Sequence, residues 1–111
     1  MTGCQKAQFL VYREGDFFGT HRDTSADEDA VDFVRERRIS VVLFVNGMSE
    51  EPSPATFGGG ALTFYDLMEN IKVGLSVDAE PGLVVAFPSA QRHGVTPVLH
   101  GQRCTVVTWF Y

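Results

Sequence analysis

Apolar and polar positions along this chain change over at short range, in runs broken by Gly, Pro and acidic turn residues, which is the rhythm of strands rather than helices. Reading the Val-, Phe- and Tyr-rich runs between those breaks predicts eight strands: Gln8 to Tyr12, Phe17 to Asp23, Arg38 to Asn46, Ala61 to Leu67, Lys72 to Asp78, Leu83 to Pro88, Gly94 to Leu99 and Cys104 to Tyr111. Glu14-Gly15-Asp16, Glu80-Pro81-Gly82 and His100-Gly101-Gln102 supply the backbone angles of tight reversals, so neighbouring strands are expected to be antiparallel. Short antiparallel strands in this number predict an all-β fold closed as a jelly roll or barrel, which hides sheet edges and leaves a mouth for a ligand.

Two connections are longer. Thr24 to Arg37 is expected to hold at most one short helix, with Ala30, Phe33 and Val34 as its buried stripe and the acidic run Asp27-Glu28-Asp29 at its dipole-favoured amino end. That run lacks the alternating ligands, central glycine and closing glutamate of a calcium loop, and reads as a solvated face. Gly47 to Gly60 carries Glu50-Glu51-Pro52-Ser53-Pro54 and ends in Gly58-Gly59-Gly60, a bend into the next strand; without a following Lys and Ser or Thr it is no phosphate loop.

Length and charge narrow the function. Residues 1–111 are expected to form a single domain. A formal charge of −5 gives no footprint for a phosphate backbone, so no nucleic-acid partner is expected. No apolar window reaches the roughly 18 residues of a membrane span and Met1 to Ala7 carries no secretory stretch, so no membrane is expected and a cytoplasmic setting is the default. Cys4 and Cys104 are accordingly expected to be reduced, with Cys104 packed in a strand.

The candidate chemistry is His21-Arg22-Asp23 with His93 and Arg103 far downstream. In an extended segment, side chains two residues apart share a side, so His21 and Asp23 reach one metal ion while Arg22 points away. Two imidazoles and one carboxylate make the facial triad of an open ferrous site. A histidine-x-aspartate alone is weak, but it sits in Tyr12-Arg13-Glu14-Gly15-Asp16-Phe17-Phe18-Gly19-Thr20-His21-Arg22-Asp23, followed by Gly58-Gly59-Gly60-Ala61-Leu62, Phe87-Pro88-Ser89-Ala90-Gln91-Arg92-His93, Pro97-Val98 and Gly101-Gln102-Arg103.

From about Gln8 to Tyr111 these motifs, in this order, resemble the prolyl 4-hydroxylase-like branch of the Fe(II)- and 2-oxoglutarate-dependent dioxygenases. The resemblance implies a cupin-like double-stranded β-helix in which His21, Asp23 and His93 bind Fe(II) and act as the catalytic centre, while Arg103 holds the far carboxylate of the cosubstrate 2-oxoglutarate. It further implies O2 as the second cosubstrate and is compatible with ascorbate as an accessory reductant. A guanidinium is the planar, permanently charged fork that a carboxylate calls for. Thr105, two residues on along the same strand, is placed to add a hydroxyl, and Tyr12 falls where similar enzymes often place a phenol against 2-oxoglutarate. This chain departs from some relatives in having Phe44 where a tyrosine contacts the cosubstrate, and Ala61 where an acidic residue is common.

The implied reaction couples oxidative decarboxylation of 2-oxoglutarate to hydroxylation of a substrate C–H bond, in a prolyl residue of a protein or peptide or in a small molecule. His100, beside a turn glycine, competes with His93 as distal ligand and is set aside. Trp109 and Phe110 are expected to pack the core, and Arg37 and Arg38 to contact substrate or to stand as solvated strand-end charges. Since its first predicted strand starts at Gln8, the chain is expected to lack the helices that commonly buttress such sheets and to be a minimal core of modest stability. A non-catalytic jelly-roll module binding a sugar or protein partner, and a cupin metalloenzyme indifferent to 2-oxoglutarate, remain as alternatives, with Arg103 discriminating among them.

Overall fold

The computed structural model describes residues 2–27, 30–66 and 74–111. Within them lie strands β1 (Gln8–Tyr12) and β2 (Phe18–His21), helix α1 (Asp32–Arg35), and then strands β3 (Ile39–Phe44), β4 (Gly47–Met48), β5 (Thr56–Gly59), β6 (Leu62–Phe64), β7 (Leu75–Ser76), β8 (Val84–Pro88), β9 (His93–Val95), β10 (Val98–Gly101) and β11 (Arg103–Phe110). The largest sheet has the order β1-β11-β3-β8, all antiparallel, with β11 as its spine. A second sheet runs β2-β9-β6-β7, and a third, β10-β5-β4, closes one end.

Side chains alternate across a strand, and here the alternation sorts chemistry from surface. Along β3, Ser40, Val42 and Phe44 are buried; along β11, Arg103 and Thr105 are buried and share their side with Val107 and Trp109. Phe44, Phe57, Leu62, Phe64 and Phe87, with Val42 and Ala79, form the core between the sheets, each large side chain worth about 2–3 kcal/mol of burial. Phe64 and Phe87 meet edge to face at 4.9 Å.

The all-β jelly-roll reading holds, and six details of the expectation need correction. The predicted strand from Gly94 to Leu99 is two strands in different sheets, separated at Thr96-Pro97, because Pro97 has no N–H to carry a ladder onward. His100 is therefore in β10 and not in a turn. The connection Gly47 to Gly60 contains β4 and the glycine-rich β5, which pair in parallel, against the antiparallel rule drawn from the turns. The strand foreseen from Phe17 to Asp23 stops at His21, leaving Asp23 just beyond it. In α1, Phe33 is exposed, since a helix of a single turn presents only Val34 inward. Trp109 and Phe110 are only partly buried and lie outside the core cluster, and Trp109 instead bonds to Asp23, as described below.

Of the expected segments, Leu67, Lys72 to Val73 and Glu28 to Asp29 lie outside the described residues. Cys4 and Cys104 are free, as foreseen. Among the described residues no helix is long and apolar enough to cross a membrane.

Candidate active site

His21 and His93 stand directly opposite each other in the β2–β9 ladder, so sheet register alone brings the two imidazoles together across some seventy residues. Asp23, past the end of β2, is tied to the other sheet by its backbone N–H, which donates to the Ser89 carbonyl at 2.8 Å. The chain thereby delivers a carboxylate from one wall of the barrel against two imidazoles on the other. Asp23 Oδ1 lies 3.1 Å from His21 Nε2 and 3.2 Å from His93 Nε2. One ligand atom from each of the three residues fits within 4.8 Å of the others, the one such group of His, Cys, Asp and Glu among the described residues.

The hydrogen bonds on the far side of each ring decide what this cluster can hold. His21 Nδ1 is 2.7 Å from the Gly19 carbonyl and His93 Nδ1 is 2.8 Å from the Gln91 carbonyl. A carbonyl only accepts, so each Nδ1 carries the hydrogen and each Nε2 in the neutral ring presents a lone pair inward. Two lone pairs and a carboxylate oxygen then face one another, an arrangement stable only around a cation: a proton or a metal ion. Two neutral imidazoles and one carboxylate with open positions suit Fe(II). Burial opposes charge on Asp23, but hydrogen bonds from Ser40 and Trp109, and from the His21 and His93 rings when their Nε2 carries a proton, outweigh it and hold the carboxyl far below the usual range. Burial likewise opposes charge on His93, and the contacts with Asp23 and Gln91 raise it above the ordinary imidazole value.

The same cavity, about 410 Å³, reaches Arg103, Thr105 and Tyr12. Arg103 is 3% exposed, yet among the described residues no carboxylate pairs with it; its Nε donates to the Gly60 carbonyl at 2.8 Å. The guanidinium lies against two aromatic rings, its Cζ 5.3 Å from the centroids of both Tyr12 and Phe44. Phe44, which lacks the hydroxyl of some relatives, thus serves as a wall for the cation. Burial lowers Arg103 to about 10, only partly offset by Tyr12, and raises the Tyr12 phenol, with Arg103 lowering it and Asp16 raising it again. The Thr105 hydroxyl oxygen is fully buried without a hydrogen-bond partner. A buried cation without an anion beside a buried hydroxyl without a partner is a pocket built for an anionic acceptor.

All six residues singled out from sequence, His21, Asp23, His93, Arg103, Tyr12 and Thr105, line this one cavity. His100 does not: it lines a separate groove, with its ring over Gly58. Arg22, expected to point away, and Arg37 also line the cavity: Arg22 Nε donates to the Ala90 carbonyl, and Arg37 Cζ stands 3.7 Å over the Trp109 ring. Sequence reasoning missed Ser40, Ser89 and the Trp109 indole, which bond to Asp23 or to each other. A serine in an otherwise apolar strand, Ile39-Ser40-Val41-Val42-Leu43-Phe44, was the available signal.

Comparison with known proteins agrees with this arrangement. A PKHD-type hydroxylase of Shewanella baltica is 32% identical over 101 residues, covering 91% of this chain and 40% of that protein. A PKHD-type hydroxylase of Psychrobacter is 32% identical over 103 residues, covering 91% and 36% respectively. The chain thus spans about 40% of the length of the curated relatives it matches. Among solved structures, a Pseudomonas putida prolyl-4-hydroxylase superposes with a TM-score of 0.69 at 28% identity, over 94% of this chain and half of that one. The fold, though not more, is shared with the 2-oxoglutarate complex of a viral collagen prolyl hydroxylase from Paramecium bursaria Chlorella virus-1, at a TM-score of 0.70, 18% identity, and coverage of 96% of this chain and 58% of that one. The family model of the 2OG-Fe(II) oxygenase superfamily matches residues 7–111, the stretch that carries both the triad and the buried arginine, and the chain belongs to that superfamily.

Proposed function

We propose that this chain is the catalytic core of an Fe(II)- and 2-oxoglutarate-dependent dioxygenase that hydroxylates a substrate C–H bond. The observation that carries the reading is the buried, anion-free Arg103 guanidinium beside the unpartnered Thr105 hydroxyl, in one cavity with His21, Asp23 and His93. Neither a sugar-binding jelly roll nor a metal site indifferent to 2-oxoglutarate has use for that cation, and family membership disfavours the non-catalytic alternative.

In this reading His21, Asp23 and His93 hold the iron, which when bound supplies the oxygen activation that couples 2-oxoglutarate decarboxylation to hydroxylation. The chain's own residues do the rest. Arg103 and Thr105 fix one end of 2-oxoglutarate by its far carboxylate, with Tyr12 closing over the guanidinium. The Gly19 and Gln91 carbonyls keep both imidazoles in the metal-binding tautomer. Phe18 at 3.8 Å from the His21 ring and Phe87 at 4.7 Å from the His93 ring are apolar walls of the cavity beside the ligands.

For the substrate we infer a prolyl residue of a protein or peptide, on the strength of the Pseudomonas putida prolyl-4-hydroxylase likeness, with a small molecule as the competing class. The two free cysteines accord with a reducing setting such as cytoplasm. The test is anaerobic addition of Fe(II) and 2-oxoglutarate, watching for a visible charge-transfer band, then oxygen and a succinate assay with proline-containing peptides against free amino acids. Folded protein that gives no band overturns the enzyme reading; a band with succinate release stimulated by free amino acids alone overturns the peptide substrate.

A further inference from the structure

We propose that Trp109, Ser40 and Ser89 are positioning residues that confine Asp23 to one-oxygen donation toward the metal, and that the chain's single tryptophan therefore reports metal binding. The inference rests on the metal site proposed above and specifies how its carboxylate works.

A carboxylate has two oxygens, and these two have different neighbours. Oδ1 faces both imidazoles. Oδ2 accepts from Ser40 Oγ at 2.6 Å and from Trp109 Nε1 at 3.0 Å. Ser40 and Trp109 are cross-strand partners in the β3–β11 ladder, so sheet register sets two donors side by side on the inner face, both aimed at one oxygen. The Ser40 hydroxyl has a single hydrogen and gives it to Asp23, so it accepts from Ser89 Oγ at 2.9 Å. Ser89, fully buried, also receives the backbone N–H of Asp23 on its carbonyl. Backbone and, through Ser40, side chain of Asp23 are thus tied to the same residue, closing a ring of hydrogen bonds that opposes rotation of the carboxylate.

The indole is itself clamped. Arg37 lies over its face at 3.7 Å, and Arg37 Nε donates to Gln5 Oε1 at 3.0 Å. An Oδ2 bonded twice cannot swing round to chelate alongside Oδ1, and chelation would consume a position that the cosubstrates need. Outer-shell partners of this kind typically govern metal affinity by about 10- to 100-fold.

The experiment measures Mn(II) affinity by the loss of the free-ion electron paramagnetic resonance signal, in the whole chain and in Trp109→Phe, Ser40→Ala and Ser89→Ala, with melting of the metal-free proteins alongside. Trp109→Phe and Ser40→Ala are expected to bind Mn(II) about 10- to 100-fold more weakly, and Ser89→Ala less so because it acts through Ser40. Diamagnetic Zn(II) should shift the emission of Trp109 in the parent chain, saturating at the affinity found by direct titration, since a metal on Oδ1 withdraws charge from Oδ2 and loosens the indole bond. If Ser40→Ala fails to fold, Trp109→Phe, which keeps the ring, decides alone. Affinities within about threefold of the parent in folded variants, or Zn(II) binding without any change in emission, overturn the inference while leaving the metal site intact. A parent chain that binds neither metal overturns the site and the inference together.

Discussion

Replacing Arg103 with methionine should make the protein more stable without 2-oxoglutarate and blind to it. Burial brings Arg103 down from the ordinary guanidinium range to about 10, which corresponds to about 3 kcal/mol against the folded cation. Because the folded value lies below the ordinary one, this penalty is fully present below about pH 10 and shrinks only as the pH rises from there toward the ordinary guanidinium value. Methionine fills similar length without charge and returns that energy, less about 1 kcal/mol for the lost bond to the buried Gly60 carbonyl. The net gain of about 2 kcal/mol should raise the melting temperature by roughly 8–10 °C for a domain of this size. The parent gains about 2.7 kcal/mol from ligand at a hundred times its Kd. Loss of a buried charge partner worth about 3 kcal/mol weakens binding roughly 150-fold, leaving the variant a response of about 1 °C at the same concentration. Thermal melts with Mn(II), with and without 2-oxoglutarate, read both effects. A variant that melts several degrees below the parent, or that responds to 2-oxoglutarate as strongly as the parent does, refutes the reasoning.

Thr105→Val removes the one buried hydroxyl oxygen of the cavity that has no partner; it should leave metal-free melting unchanged or slightly higher and weaken 2-oxoglutarate by about tenfold in calorimetric titration. His93→Ala should lower Mn(II) affinity by at least about 100-fold, whereas His100→Ala, in a separate groove, should leave it unchanged; the same resonance titration compares them. Gly101→Ala should destabilise by about 3 kcal/mol in urea, because Gly101 has φ +73° and a Cβ there would lie 2.2 Å from the Thr56 carbonyl oxygen.

The strands that carry the cavity were legible, but the way their faces divide was not. β3 and β11 carry apolar residues on their outer side as well as their inner: Leu43 and Val106, paired in register, continue on the outer face into Phe9 and Val84, which are exposed. Without a polar face the two-residue alternation disappears from the sequence, and a buried run cannot say which of its residues look inward. The short strands failed for the opposite reason. Thr56–Gly59 has too little branched or aromatic character to register as a strand, and its place comes from its neighbours β4 and β10.

The site divides along a related line. Residues that must be one chemical type for one purpose, two imidazoles, a carboxylate and a lone guanidinium, announce themselves by identity and order, and all converge. Ser40, Ser89 and Trp109 are common residues whose meaning is conferred by register: Ser40 matters because it faces Trp109 across a ladder, and Trp109 because its N–H meets Asp23 and not the core. A one-residue slip of β3 against β11 would separate Ser40 from Trp109 and turn the side chains of the slipped strand to the outer face. The three donors of the proposed site can therefore be picked out from the sequence, while the hydrogen bonds that tie Asp23 Oδ2 to Ser40 and Trp109 exist only once the two central strands of the largest sheet have found their pairing. On this account the affinity of the proposed metal site and the register of β3 on β11 are one property, because the same inward row that holds the Asp23 carboxylate at Trp109 carries the buried Arg103.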